Sequence, residues 1–457
     1  MNHTAEYQDN TVLHSDDSQK EPVEGRGAGH DTVRRINRQL ILDYLRKHGP
    51  TPRVTIAKAL HLSRATISSI IEDLINENLV HEGKKLRATQ KGGRRATRVH
   101  FNADAGYAIG VDLGRTHLRI YLTNLETKPI DQWAQRFDMK IGWEEGLPFI
   151  AEKINELVKK NDKTWKKVRG IGVSIPGSPD PSFHKLISPP RLSNWSGVDI
   201  PEYLREKLQL PEDFPIYLDN DGNMGALGES RYGAGVDIAN LIYIKLSTGI
   251  GAGLILNGQL YRGSTGVAGE FGHVIIEADS PPCSSCGKRG CLEALAGLAA
   301  IVEDARQGTS LHGSRPVAVE DVPPDLMADV MIAAQNGDAA SSAALIHAGE
   351  RIGKAIGSYL INVYNPSMIL LDGGIIRPSK GDTVYESKLL LNCIIEHAKA
   401  SSLPVALAGT KIGPGMLGDD AVVRGAAAAV LDKDTQLNAT REYKAGLEQA
   451  EQWNVAV

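Results

Sequence analysis

Apolar residues recur along this chain in two rhythms, behind a polar stretch that has neither. Residues 1–30 are rich in Asp, Glu, Ser, Gly and His and show no periodicity, which predicts a disordered leader. From Thr32 the spacing becomes helical: Val33, Ile36, Leu40, Ile41 and Leu45 fall on one face, and Gly49-Pro50 ends the helix. A second short helix carries Val54, Ile56, Ala57 and Leu60. His61-Leu62 then make a tight turn, and Ser63 is placed to cap a third helix running to Asn76. On that helix Ile67, Ile70, Ile71 and Leu74 share one arc, while Ala65, Ser68 and Ser69 lie opposite. The pattern predicts a helix-turn-helix. After Leu79-Val80 the chain alternates as a hairpin does, through Lys84-Lys85 to Arg98-Val99-His100, which makes it a winged one.

From Tyr107 the rhythm changes to buried strands that end in glycine turns. Ala108 to Leu113 runs into Gly114-Arg115-Thr116, and Leu118 to Leu122 follows. Val168 to Ile175 ends at Pro176-Gly177, and Phe214 to Leu218 ends at Asp219-Asn220-Asp221. Leu241 to Leu246 leads into a glycine loop from Ser247 to Gly253, then Leu254 to Leu256. Met368 to Leu371 ends at Asp372-Gly373-Gly374. Helical segments intervene, for example over 145–160 and 340–363. Strands alternating with helices predict an α/β architecture whose ligands bind at the strand ends.

Charge divides the chain the same way. The net charge is -4, yet residues 31–100 carry 15 Lys+Arg against 6 Asp+Glu, a surplus of 9, which leaves -13 elsewhere. A basic segment on an acidic body suits a polyanion binder. In that segment Ser63, Arg64, Thr66, Ser68 and Ser69 on the third helix suit a major groove, and Arg94 and Arg95 in the wing suit a phosphate backbone or minor groove. A protein-interaction module with a solvated basic face is the blander reading. Hydrophobic content of 42% and charged content of 23% describe an ordinary globular protein with room for two or three domains. No stretch of eighteen apolar residues and no signal-peptide core is present, so a cytoplasmic location without membrane contact is expected.

Three of the four cysteines, Cys283, Cys286 and Cys291, stand in one short stretch with His273 a loop upstream. Four N/S ligands suggest a structural zinc, with Gly287 and Gly290 supplying the backbone angles of a knuckle. A redox pair would explain neither Cys291 nor His273. Glu270 and Glu293 bracket the knuckle and are expected to be held near each other.

Each glycine turn alone is a weak signal. Together and in order, Asp112-Leu113-Gly114-Arg115-Thr116, Asn220-Asp221-Gly222-Asn223, Thr248-Gly249-Ile250-Gly251, Gly269-Glu270-Phe271-Gly272-His273 and Cys286-Gly287-Lys288-Arg289-Gly290-Cys291-Leu292-Glu293 resemble the ROK family of sugar kinases and sugar-responsive repressors. The resemblance implies a two-lobed actin-like ATPase fold behind the winged helix-turn-helix. It also implies Asp221 as general base if kinase activity is retained, and Asn220, Asp221, Glu270, His273 and Glu293 as sugar ligands. His273 then serves both metal and sugar. Asp112, Gly114, Thr116, Thr248, Gly249, Gly251, Gly373 and Gly374 match positions that hold nucleotide, and ATP with Mg²⁺ belongs there only in a kinase. For Asp221 the bland reading is a strand-end turn residue with no ligand.

The chain departs from the kinase pattern at Arg115, Ser247 and Ala252, where glycines are usual, and its cysteine pair is spaced C-x-x-C rather than C-x-C, which leaves the place of the first metal ligand open. The sugar-facing set is complete. That imbalance favours a sensor: a sugar-responsive repressor that binds a palindromic DNA operator as a homodimer or higher oligomer. The other reading is a hexose or amino-sugar kinase with an accessory DNA-binding head. The expected divisions are 1–30 leader, 31–100 DNA-binding domain, 101–432 sugar-binding two-lobed domain and 433–457 tail, the last a surface helix.

Overall fold

The computed structural model describes residues 26–85, 97–161, 163–180, 182–186, 190–278, 280, 282–307, 322, 325–380 and 383–431. Two compact units divide the chain, Met1–Asn102 and Ala103–Val457.

In the first unit α1 (Arg26–His48), β1 (Thr51–Pro52), α2 (Arg53–Ala59), α3 (Arg64–Asn76), β2 (Val80–Lys85) and β3 (Thr97–Phe101) form three helices on a small sheet of order β1-β3-β2. Ile67, Ile70, Ile71 and Leu74 of α3 are buried as their arc predicts, against Ile41, Leu42, Leu45, Ile56, Val80 and Val99. Two expectations fail. The helix starts at Arg26, so residues 26–30 of the expected leader are helical; no proline stands between them and Thr32, and a nucleated helix extends cheaply. Among the described side chains of α1 only Ile41, Leu42 and Leu45 are buried, whereas Val33, Ile36 and Leu40 are exposed within the chain. Periodicity finds an apolar stripe but does not say what covers it. Residues 1–25, the wing tip with Arg94 and Arg95, and the tail from 432 lie outside the described residues.

The second unit is built on two sheets of like design. The first comprises β4 (Tyr107–Leu113), β5 (His117–Asn124), β6 (Pro129–Arg136), β7 (Val168–Ile175) and β8 (Ile216–Asn220) in the order β6-β5-β4-β7-β8. Helices α4 (Trp143–Lys160) and α5 (Ile200–Lys207) pack on it, burying Ile150, Ile154, Ile200 and Leu204. After α6 (Asp221–Tyr232) the second sheet takes β9 (Leu241–Leu246), β10 (Ile250–Leu256) and β11 (Gln259–Tyr261). Helices α7 (Leu292–Ala296), α8 (Leu298–Gln307), α9 (Leu326–Gln335), α10 (Ala339–Ala355) and α11 (Asn362–Tyr364) lead to β12 (Met368–Asp372). The last two helices are joined by a π-helical turn, Ile356–Ile361, inside the predicted 340–363 helix. A small hairpin, β13 (Ser379–Lys380) with β14 (Thr383–Val384), precedes α12 (Lys388–Ala400), α13 (Pro404–Leu407), β15 (Lys411–Pro414) and α14 (Asp420–Leu431). The second order, β11-β10-β9-β12-β15, repeats the first: an antiparallel three-strand meander with two parallel strands beside its first strand.

Between the sheets lie α6 and α14, and glycine decides how closely. A Cβ at Gly110 or Gly172 would lie 2.1 Å or 1.9 Å from a carbonyl oxygen of α14, so only glycine lets that helix settle on β4 and β7. The helices meet each other in the same way: a Cβ at Gly425 would stand 1.7 Å from the Met224 carbonyl oxygen, and one at Gly228 2.1 Å from that of Ala421. One glycine run is better explained by such packing than by a loop. Strand β10 begins at Ile250, so Gly251, Ala252 and Gly253 belong to it, and a Cβ at Gly253 would lie 2.2 Å from the Gly222 carbonyl oxygen of α6. The turn itself is only Ser247-Thr248-Gly249, closed by the Ser247 N–H on the Gly249 carbonyl at 2.9 Å.

Candidate functional site

The strand β8 turns directly into α6, and this corner presents Asn220 and Asp221. Asn220 caps the helix by accepting the Gly222 N–H at 2.7 Å, and its amide donates to the Gly177 carbonyl at 2.9 Å. Beneath it, fully buried Asp219 accepts the Arg262 guanidinium at 2.8 Å and the Asn223 amide at 2.8 Å, so the corner rests on a buried ion pair. Asp221 Oδ2 receives the Lys245 ammonium at 2.8 Å.

Opposite stands the knuckle. Gly287 (φ +76) and Gly290 (φ +87) take the left-handed conformations the sequence called for, and Cys283 closes the turn through its N–H on the Lys288 carbonyl at 2.7 Å. His273 Nδ1 lies 3.8 Å from Cys283 Sγ, and Cys286 and Cys291 Sγ are 3.5 Å apart. The four ligand atoms all lie within 4.8 Å of one another. Around a tetrahedral zinc, Zn–S and Zn–N bonds put ligand atoms roughly 3.5–3.8 Å apart, so this donor set fits such an ion and leaves it no open position. Despite the C-x-x-C spacing, Cys283 is in the cluster.

The knuckle hands over two carboxylates. Glu293, the second residue of α7, is 8% exposed and accepts the Ile250 N–H at 2.9 Å and the Ser285 hydroxyl at 2.6 Å. A Cβ at Gly249 would come within 2.6 Å of it, which is what that glycine is for. Glu270 accepts the Ser178 hydroxyl at 2.6 Å, from the loop after β7, and its other oxygen lies 3.8 Å from His273 Nε2. His273 thus turns one nitrogen to the thiols and the other to a carboxylate. Asn220, Asp221, Glu270, His273 and Glu293 all line one cavity of about 450 Å³, within the usual range for small-molecule clefts. Gly114, Thr116, Thr248, Gly249 and Gly251 also lie on its wall.

A second cavity of about 560 Å³ lies on the other side of Lys245, walled by Asp112, Thr116, Thr248, Gly373 and Gly374 among others. Its charged groups are engaged with one another. Buried Asp112 accepts His117 Nε2 at 2.9 Å and Arg119 at 3.2 Å, and Arg119 also reaches Asp419 at 2.7 Å. Burial pushes the Asp112 carboxyl up, but His117, Lys245 and Arg119 outweigh it and hold it well below the usual carboxylate range. Asp372 is buried with Oδ2 unpartnered, and burial pushes its carboxyl up to about 6. Gly114, expected to face nucleotide, is required instead by the His117 ring, 2.2 Å from where a Cβ would be. Arg115 projects toward Gly249, with one guanidinium nitrogen buried and unpartnered.

In the first unit Ser63 caps α3, accepting the Thr66 N–H at 3.0 Å, so these two residues shape the helix start. Arg64 and Ser69 are exposed and Ser68 half-buried; the Ser69 hydroxyl accepts Arg34 of α1 at 3.1 Å. Sequence reasoning missed Lys245, Ser178, Ser285 and Arg262. The signal for Lys245 was a lone charge in an otherwise apolar strand.

Paired sheets of the same strand order, clasped on two helices and opening on a polar cleft, define the actin-like ATPase class, here in a chain that also carries a winged helix-turn-helix. The chain belongs to the ROK family, whose model matches residues 108–433, and a winged helix-turn-helix DNA-binding model matches residues 34–81. It is 31% identical to the xylose repressor of Caldicellulosiruptor bescii over 88% of this chain and 97% of that protein. It is 32% identical to a glucokinase of Halalkalibacterium halodurans over 73% of this chain and 98% of that one. Among solved structures it is similar to a ROK family transcriptional regulator, homologue of the E. coli Mlc protein, with a TM-score of 0.70 and 25% identity, covering 90% of this chain and 99% of that one.

Proposed function

We propose that this chain is a sugar-responsive transcriptional regulator, a repressor of carbohydrate uptake or catabolism genes, and not an enzyme. The observation that carries the reading is the convergence of Asn220, Asp221, Glu270, His273 and Glu293 on one cavity, in a chain with a DNA-binding head. A pyranose offers a ring of hydroxyls, and carboxylates, an amide and an imidazole are the acceptors and donors that match them. Relatives named as repressors that align across both parts of the chain support the same reading. In it, residues 31–100 read DNA through Ser63, Arg64, Thr66, Ser68, Ser69, Arg94 and Arg95, and residues 101–432 bind sugar. The cluster of His273, Cys283, Cys286 and Cys291 holds a structural zinc that fixes the Glu270 and Glu293 ends of the cavity. The protein works in the cytoplasm as a homodimer or higher homo-oligomer, since two reading heads on a palindrome require a two-fold axis. Among the described residues no helix is long and apolar enough to cross a membrane. Asp112, Gly114, Thr116, Thr248, Gly249, Gly251, Gly373 and Gly374 are the remains of a nucleotide site.

The test is operator binding by the full chain across a panel of free and phosphorylated monosaccharides. Expected is salt-dependent, sequence-specific binding that a single sugar class shifts by at least about tenfold. Absence of specific DNA affinity at moderate salt overturns the reading. The similarity to a glucokinase keeps one rival in view, a sugar kinase with an accessory head; sugar-dependent ADP release abolished by Asp221→Asn would establish it.

A further inference from the structure

Every position of β9, Leu241–Leu246, is buried, and Lys245 is its one charged residue. Burial pushes the ammonium toward neutrality, but the facing Asp221 and Asp112 carboxylates outweigh it and keep it charged. Those carboxylates come from different places: Asp112 is the penultimate residue of β4 in the first sheet, and Asp221 opens α6. Lys245 itself belongs to the second sheet, so its charge ties the two halves of the cleft together at their floor. It also lines both cavities, standing at their junction.

We propose that Lys245 is a specificity-determining residue, a built-in substitute for a divalent cation, whose ammonium, held on Asp221 at the junction of the two cavities and in the field of Asp112, reserves Asp221 for sugar binding and keeps a metal–nucleotide complex out of the passage. Phosphoryl transfer to a hydroxyl held by Asp221 needs the donor phosphorus within about 3–3.5 Å of that oxygen. The Lys245 ammonium, 2.8 Å from Asp221 and on the wall of both cavities, occupies the space beside that carboxylate. Asp221 Oδ2 already accepts the ammonium's N–H, which leaves Oδ1 as the oxygen open to a ligand hydroxyl. If Lys245 loses its charge, Asp221 loses its hydrogen-bonded partner and Asp112 the cation that acts on it across the shared wall; Mg²⁺ and Mn²⁺ take carboxylate oxygens readily. Asp112 has a further buried oxygen, Oδ1, with no partner, ready to serve. The proposal deepens the regulator reading and rests on it only for the identity of the front ligand.

The experiment is Mn²⁺ binding, followed by electron paramagnetic resonance on full-length, zinc-loaded protein. Wild type and Lys245→Arg should hold no Mn²⁺ in the cleft. Lys245→Met should gain about one site per chain, at least about tenfold tighter than any in wild type, lost again in Lys245→Met/Asp112→Asn. A purely structural lysine would leave this stoichiometry unmoved. Wild type binding Mn²⁺ as tightly as Lys245→Met, or an uncharged variant gaining no site, overturns the proposal. Should Lys245→Met not fold, Lys245→Gln takes its place, and the wild-type titration is decisive on its own if it reveals a cleft site that Asp112→Asn removes. Sugars that fail to raise the melting point of any variant would count against the regulator reading, while the Mn²⁺ result would still decide the role of Lys245.

Discussion

Around the front cavity Glu270 and Glu293 accept hydrogen bonds from Ser178, Ser285 and the Ile250 N–H and still carry lone pairs toward the open space. Around the rear cavity Asp112 is taken by His117 and Arg119, Arg119 also by Asp419, Tyr121 by Asp420, and Arg377 by the Gly415 carbonyl. The two chambers share a wall, yet the front one is organised for a guest and the rear one has most of its charged groups paired with one another, with Asp112 Oδ1 and Asp372 Oδ2 the exceptions. Under the regulator reading, a fold that handles two substrates can give up one function without losing its shape, because contacts inside the protein stand where that ligand's contacts would be.

The contrast is broken most severely at the knuckle. Cys286→Ser should release the metal, lower stability by about 3 kcal/mol or more and abolish sugar-induced stabilisation, read by metal analysis and thermal melts. Full sugar binding without metal would mean that the front cavity does not depend on the cluster. Gly249→Ala comes next: the new Cβ, 2.6 Å from Glu293, should weaken sugar binding by roughly 2–3 kcal/mol in calorimetry and leave the rear chamber's Mn²⁺ behaviour as in wild type. Behind Lys245 the expected sign reverses. The Asp372 carboxyl, raised to about 6 by burial, binds its proton more tightly folded than unfolded. The stability it contributes is full below about pH 4 and lost as the pH rises through about 6. Asp372→Asn should therefore stabilise the protein by about 2 kcal/mol at pH 7.5, with the gain vanishing toward pH 4, measured by urea unfolding at both. The smallest effect belongs to Asp419→Ala, whose carboxylate is 69% exposed beside Arg119; a loss under about 0.5 kcal/mol is expected, and a larger one would make the rear ion pairs structural.

Local features were legible and mutual ones were not. The buried arc of α3 and the four-residue cluster of His273, Cys283, Cys286 and Cys291 follow from short spacings that carry their own geometry. The exposed Val33, Ile36 and Leu40 were misassigned because a periodic stripe is silent about its partner. Gly253 looked like part of a glycine loop, since glycine serves close packing and tight turning equally well; only the approach of α6 to β10 separates the two. The five residues on the front cavity could be named from motifs, but Lys245 could not, because its meaning lies in Asp112 and Asp221, which are remote in sequence and converge only in the folded cleft.

The crossing of α6 and α14 at Gly228 and Gly425 brings bare main chain against bare main chain. Such a contact has no rotamers to rearrange, so it behaves as a bearing rather than a cushion. A single methyl group added at Gly228 or Gly425 would wedge the two helices apart.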